Sequence, residues 1–297
     1  MNREIALAIV APLKRRRGRL QELIGFFRTK PLGAAGGVAI FLLCLAAVLA
    51  PWIAPSDPYA VSYENALLPP GREFIMGTDN FGRDMFSRVV WGSRISLYVG
   101  LLAVGLGNTV GGLLGVISAY WGGKFDLIWQ RFMDSLMAFP ALILALVIVA
   151  MLGPSVTNCM LAIAVVRVPA TGRVLRSAGL AVRENQYVEA ARAMGCTDAR
   201  IVLYHIIPNC VAPFIIVATA GLGSAIITEA TLSFLGVGAP PPTPSWGAML
   251  SGQSRQFIQM APWLAIFPGV AITIAVFGFN LLGDALRDVL DPRLRRT

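Results

Sequence analysis

Several stretches of this chain run for about twenty residues almost without charge, long enough at 1.5 Å per residue to cross the ~30 Å hydrocarbon core of a bilayer. The first is PLGAAGGVAIFLLCLAAVLAPW, Pro31 to Trp52, which closes on a helix breaker and an interfacial aromatic. Lipid offers the backbone no hydrogen-bond partner, so such stretches fold as helices. A charged fraction of 14% beside a hydrophobic fraction of 56% fits the same class, since soluble domains carry roughly a quarter charged residues. The chain reads as an all-α polytopic membrane protein with six transmembrane helices.

The later spans are expected at Ile95–Tyr120, Ser135–Leu152, from Val156 through Arg167 and Pro169, at Val211–Gly236 and at Trp263–Leu282. The fourth continues out into the cytoplasm, because Arg173, Arg176 and Arg183 belong in water or among headgroups. GGKFDLIWQRFMD reads as a short inner loop, and GPSVTN and GVGAPPPTPSW as outer connections. In the second span Gly107, Gly111 and Gly115 form a ridge at four-residue spacing, which lets another backbone pack closely. The organisation is a tail at 1–30, a first transmembrane helix at 31–53, an outer loop at 54–94, a five-helix core at 95–283 with a large inner loop at 184–209, and a tail at 284–297.

Most of the net charge of +9 sits toward the ends of the chain. Lys14, Arg15, Arg16, Arg17, Arg19, Arg28 and Lys30 precede the first span, and Arg287, Arg293, Arg295 and Arg296 follow the last. Basic residues beside spans are held in the cytoplasm, which places both termini inside and requires an even number of crossings. Anionic lipid accounts for the basicity without nucleic acid. The N-terminal IALAIVAPL precedes its basic cluster, the reverse of a secretory signal, so 1–30 is expected as a cytoplasmic, interfacial segment. Cys44, Cys159, Cys196 and Cys210 form no CxxC and fall at different depths, which supports neither a disulfide framework nor a zinc site.

Catalytic and cofactor signatures are missing. There is no GxxxxGK[ST] phosphate loop, no GxSxG, no HExxH, and only one histidine. DNFGRD, Asp79 to Asp84, is acidic but lacks the alternating ligands of a calcium loop, and reads as a turn. The chain is therefore not expected to hydrolyse ATP or to hold a cofactor; uphill transport needs a partner or an ion gradient. Arg167 in the inner half of the fourth span and Glu229 in the outer half of the fifth are intramembrane charges, either functional or engaged in interhelical bonding. The outer loop with Pro241 and Trp246 serves either as a docking or gating element or as a stiff connector.

The inner loop YVEAARAMGCTDARIVLYHIIPN, Tyr187 to Asn209, is polar in an apolar chain. Ala190, Ala191 and Ala193 give a short helix a thin surface, and Gly195 is suited to the left-handed conformation that ends it. Asp198 falls in the first turn of a second short helix, where its charge suits the positive end of the dipole, and Pro208 is expected to close that helix. Such a bent elbow, tethered to the fourth and fifth spans, can move both together.

This stretch resembles the EAA loop of ATP-binding-cassette importer permeases: Glu189-Ala190-Ala191, then Gly195, then Pro208, with HIIPN similar to the variant in peptide and nickel permeases. MGTDNFGRDMFSRVVWGSRISLYVG, ATLSFLGVGAPPPTPSWGAML and FNLLGDALRDVLDPRLR are similar in turn to segments of the C-type subunit of dipeptide and oligopeptide importers. The resemblance implies a type I importer permease in the bacterial cytoplasmic (inner) membrane. It also implies a heterodimer with a homologous second permease, two ATPase subunits that hold ATP and Mg, and an extracytoplasmic substrate-binding protein. Tyr187, Glu189, Ala190, Ala191, Ala193, Gly195, Asp198 and Pro208 would then form the ATPase-docking loop. Arg167, Glu229, Pro241 and Trp246 would be candidates for the pathway or gate. The alternative is a secondary carrier driven by an ion gradient.

Overall fold

A computed structural model describes residues 29–251 and 256–290, and every regular element among them is helical. The expectations for the tails at 1–28 and 291–297 lie outside the described residues. Helix α1 spans Pro31–Val48 and bends into α2, Ala50–Ile53. After a loop come α3, Met85–Trp121, and α4, Gly123–Met137. Helices α5, Ala141–Leu152, and α6, Val156–Arg183, follow. Next are α7, Gln186–Ala193, and α8, Asp198–Ile201, which leads through a π-helical turn at Val202–Ile206 into α9, Ile207–Phe234. The series ends with α10, Trp246–Met249, and α11, Trp263–Leu290. Five helical stretches are singly long and apolar enough to cross a membrane, and α4 with α5, bent by 90°, makes a sixth.

Helix α3 is the central post. Gly107, Gly111 and Gly115 face α6, where a Cβ on each would stand 2.4, 2.4 and 2.3 Å from the carbonyl oxygens of Ala164, Val168 and Gly172. Backbones thus meet where lipid supplies no hydrophobic drive and dispersion must hold the pair. Helix α1 repeats the device on α11, with Gly36 against the Gly278 carbonyl. Outward-facing Phe41, Val48 and Trp52 on α1 and α2 stay exposed, as lipid-solvated side chains can.

Five boundaries differ from the sequence reading, two of them being the third span, whose helix starts at Ala141 rather than Ser135, and the fifth, whose helix reaches back beyond Val211. Helix α3 begins at Met85 rather than Ile95, because Asp84 accepts from the Ser87 N–H as an N-cap and the early arginines find partners. Arg88 donates to the Pro58 carbonyl, and Arg94 lies over the Trp91 ring. The inner loop after α3 is instead the helix α4, joined to α6 by a two-pronged Arg176–Asp126 pair at 2.7 and 2.5 Å. Finally, α11 continues past Leu282 to Leu290.

The Asp79–Asp84 segment is a turn, as expected. Asp79 accepts from the N–H groups of Phe81 and Arg83 and from Arg83 Nε at 2.7 Å, so its oxygens are spent on protein donors. At the other end of the bundle Lys30 meets Asp288 at 2.5 Å, bringing both ends of the described chain to the side that carries α7.

Candidate functional site

The elbow forms where helix α6 ends. Arg183 donates to the Ala119 carbonyl at 3.0 Å, fixing this end to the last turn of α3, and α7 starts after Asn185. Gly195 terminates α7 with φ +80°; its N–H bonds the Arg192 carbonyl and the Cys196 N–H bonds the Ala191 carbonyl. That pair of bonds is a complete Schellman motif, which only a residue free to enter the left-handed region closes without strain. Open space surrounds the missing Cβ.

The elbow is not a loose loop. Val188 and Ala191 of α7 and Ile201, Val202 and Ile206 beyond it pack with Val116, Tyr120 and Leu175 into one buried cluster. Tyr120 donates to the Asp198 carboxylate at 2.5 Å, and Arg192 lies over the same ring. Tyr187 rests against His205. A push on α7 is therefore delivered to α3 and α6 through packed side chains.

Two expectations fail here. Ala191 is buried at 3% exposure and faces the protein's own core, so it cannot touch a partner. Pro208 does not end a short helix: the helix runs from Asp198 to Phe234 as one 37-residue element. The π-helical turn at Val202–Ile206 places Pro208 at the first positions of α9, where its missing N–H costs no bond. Tyr187, Glu189, Ala190, Ala193, Gly195 and Asp198 are each exposed, with the Asp198 carboxylate taken by Tyr120, and Pro208 sits about 15 Å beyond Asp198 along the helix.

The intramembrane charges are separate. Arg167 Nε donates to Asn108 Oδ1 of α3 at 3.3 Å and a terminal nitrogen donates to Ser224 Oγ of α9 at 3.0 Å, so one guanidinium ties three helices. Thr171 also donates to Asn108, at 2.8 Å. Arg167 lines a cavity of about 630 Å³ that reaches Arg287. Glu229 lies on the other side of α9, 1% exposed, accepting from Ser233 at 2.8 Å. It does not face an open path. Asp134, at the α4 end, pairs with Arg173 at 2.8 Å.

At the opposite end a cavity of about 640 Å³ is lined by Asp79, Arg88, Ser233, Pro241, Pro242 and Thr243. Pro241 is exposed at its rim, with the Pro241–Pro242 bond cis. Trp246 is no mobile gate. It is 1% exposed, packs over Gly92 and donates to the Val89 carbonyl at 2.9 Å, pinning the outer loop to α3.

The sequence reading missed Asn108, Tyr120 and Ser224. Asn108 carried a usable signal, a lone amide in an apolar run where every polar atom needs a partner. Tyr120 and Ser224 carried none, since an interfacial tyrosine and a membrane serine are both ordinary.

Residues 111–296 match the family described as the binding-protein-dependent transport system inner membrane component. Residues 19–70 match the N-terminal transmembrane domain of oligopeptide transport permease C. A putative peptide transport system permease protein of Brucella suis is 46% identical over 260 residues, 88% of this chain and 87% of its own length. The dipeptide transport system permease protein DppC of Alkalihalophilus pseudofirmus is 46% identical over 89% of this chain and 86% of its own. The glutathione transport system permease protein GsiD of Escherichia coli O1:K1 is 41% identical over 91% and 89%. An inward-facing structure of the MetNI methionine ABC transporter superposes on 70% of this chain and 98% of that one with a TM-score of 0.58; at 19% identity this is a likeness of fold.

Proposed function

This chain belongs to the inner-membrane components of binding-protein-dependent transport systems, and from that membership we propose that it is the C-type permease subunit of an ATP-driven importer of peptides. The named relatives are permeases of peptide, dipeptide and glutathione transport systems, and that range supports a peptide-like substrate. In this reading a homologous second permease completes the path, an extracytoplasmic binding protein delivers substrate at the Pro241 end, and two ATPase subunits lie under α7. ATP and Mg belong to those subunits.

The observation that carries the reading is the built elbow. An exposed face with Tyr187, Glu189, Ala190 and Ala193 is backed by a buried cluster and joined to a continuous helix from Asp198 to Phe234. That rod is about 55 Å long, so a tilt imposed at its lower end reaches the far side of the membrane. Swinging a two-state gate from 1:99 to 99:1 takes about 5.5 kcal/mol of differential binding, a demand that closure of two ATPases on ATP can meet. An ion-gradient carrier is not favoured: Glu229 is sealed among serines, and Arg167 is bonded to neutral groups.

The test is a cross-link from Ala190→Cys, in the assembled transporter, to a cysteine placed in the ATPase groove. Formation that changes with nucleotide state is expected; no adduct in any nucleotide state refutes the docking.

A further inference from the structure

We propose that Arg167 is a recognition point for an anionic group of the translocated solute, the C-terminal carboxylate of a peptide passing along α9. The inference rests on the importer reading above. Arg167 has no carboxylate within ion-pair distance among the described residues; its acceptors, Asn108 and Ser224, are neutral. A guanidinium has five N–H donors, and these two bonds hold it in place while leaving donors and full charge for a further oxygen. The position is shaped for it: a Cβ on Gly221 would overlap a terminal nitrogen of Arg167, so glycine there makes the room that the guanidinium fills.

The surroundings suit an anion in transit. The cavity of about 630 Å³ lies within the range of roughly 300–1,000 Å³ usual for small-molecule sites. Among its lining residues are two cations, Arg167 and Arg287, and no acid. On α9, Pro213, Val217, Ala220, Ser224, Thr228 and Thr231 fall on one face by helical spacing. Beyond the cavity, the same face of α9 carries a row of hydroxyls. The hydroxyls of Ser224, Thr228 and Thr231 donate to carbonyls of their own helix, and Ser224 also accepts from Arg167.

Depth decides between a solute and a lipid headgroup. Arg167 is about 17 Å along α6 from Val156 and about 24 Å from Arg183, near the middle of a ~30 Å hydrocarbon core. Lipid phosphates lie at the faces of that core. A transported carboxylate passes the middle.

The experiment uses the complete transporter, with its partner subunits and binding protein, in vesicles of phosphatidylcholine with or without phosphatidylglycerol. Uptake of alanyl-alanine is compared with that of alanyl-alaninamide. The same binding protein serves both, so its own preference divides out when variants are compared. Arg167→Gln is expected to shrink the acid-over-amide ratio about tenfold or more, the loss of one charge-assisted contact, and Arg167→Lys to restore part of it. An unchanged ratio, with uptake of both peptides lowered alike, assigns Arg167 to helix packing and overturns the proposal. A ratio that responds only to withdrawal of phosphatidylglycerol assigns the cation to lipid and overturns it too. Should Arg167→Gln fail to assemble, labelling of Ala220→Cys in the Arg167 background decides: slowing by the acid and not the amide is expected, and equal slowing or none overturns the proposal. If the unaltered transporter takes up neither peptide, the importer reading itself fails.

Discussion

Alanine at Gly111 tests the contact that organises the bundle. The added Cβ would sit 2.4 Å from the Val168 carbonyl oxygen and 3.0 Å from its Cα, where ordinary contact begins at 3.4 Å. Both are backbone atoms and neither can rotate away, so α3 and α6 must part by about 1 Å, an overpacking that costs about 1–3 kcal/mol. The same parting stretches the Thr171–Asn108 bond of 2.8 Å and the Arg167–Asn108 bond of 3.3 Å, which lie beside Gly111. Gly105, on the exposed side of the same helix, has nothing within 4 Å of where a methyl would stand. Alanine there gains roughly 0.5–1 kcal/mol of helix propensity. Gly111→Ala gains the same propensity, so the two substitutions should differ by the overpacking alone, about 1–3 kcal/mol, with Gly111→Ala the less stable. Unfolding of the detergent-purified protein by sodium dodecyl sulfate titration measures both. Equal midpoints for Gly111→Ala and Gly105→Ala would refute the close-packing argument.

Gly195→Asp should leave the protein inserted and assembled, because the site is open and the left-handed backbone costs about 1–2 kcal/mol in a non-glycine residue. It should abolish substrate-stimulated ATP hydrolysis and uptake by re-aiming α7; normal rates of both would contradict the elbow's role. Asp79→Asn should destabilise the outer turn by about 3–5 kcal/mol, since half-buried Arg83 and buried Arg88 lose the charge that Asp79 presents at 2.7 and 3.6 Å. Faster proteolytic cleavage between residues 54 and 84 is the readout, and unchanged cleavage counts against the turn as a structural lock.

The spans were legible because lipid imposes length and apolarity, and the glycine ridge because its spacing has one geometric meaning. Gly195 was legible for the same reason: a left-handed helix end leaves few choices. Boundaries set by charge were misplaced. Arg88 and Arg94 mark a membrane edge only if they need water, and here a carbonyl and a tryptophan ring meet them instead. Pro208 misled because the π-helical turn before it absorbs the missing N–H, and a change of backbone register leaves no composition signal. Trp246 suggested a gate by residue type, yet it is buried against Val89 and Gly92 of α3, partners that sequence distance conceals, whereas Glu229 is buried and met by Ser233 one turn on in its own helix. Ala191 faces inward because α7 has one side on the bundle, and in a run of alanines the sequence does not mark which side that is.

The most direct test of the permease assignment is the native mass of the affinity-purified, transport-competent complex. One copy of this chain with one second permease and two ATPase subunits is expected, together with uptake that stops when ATP is removed while the proton gradient is kept. A complex with no ATPase subunit that still accumulates peptide on the gradient alone would contradict it.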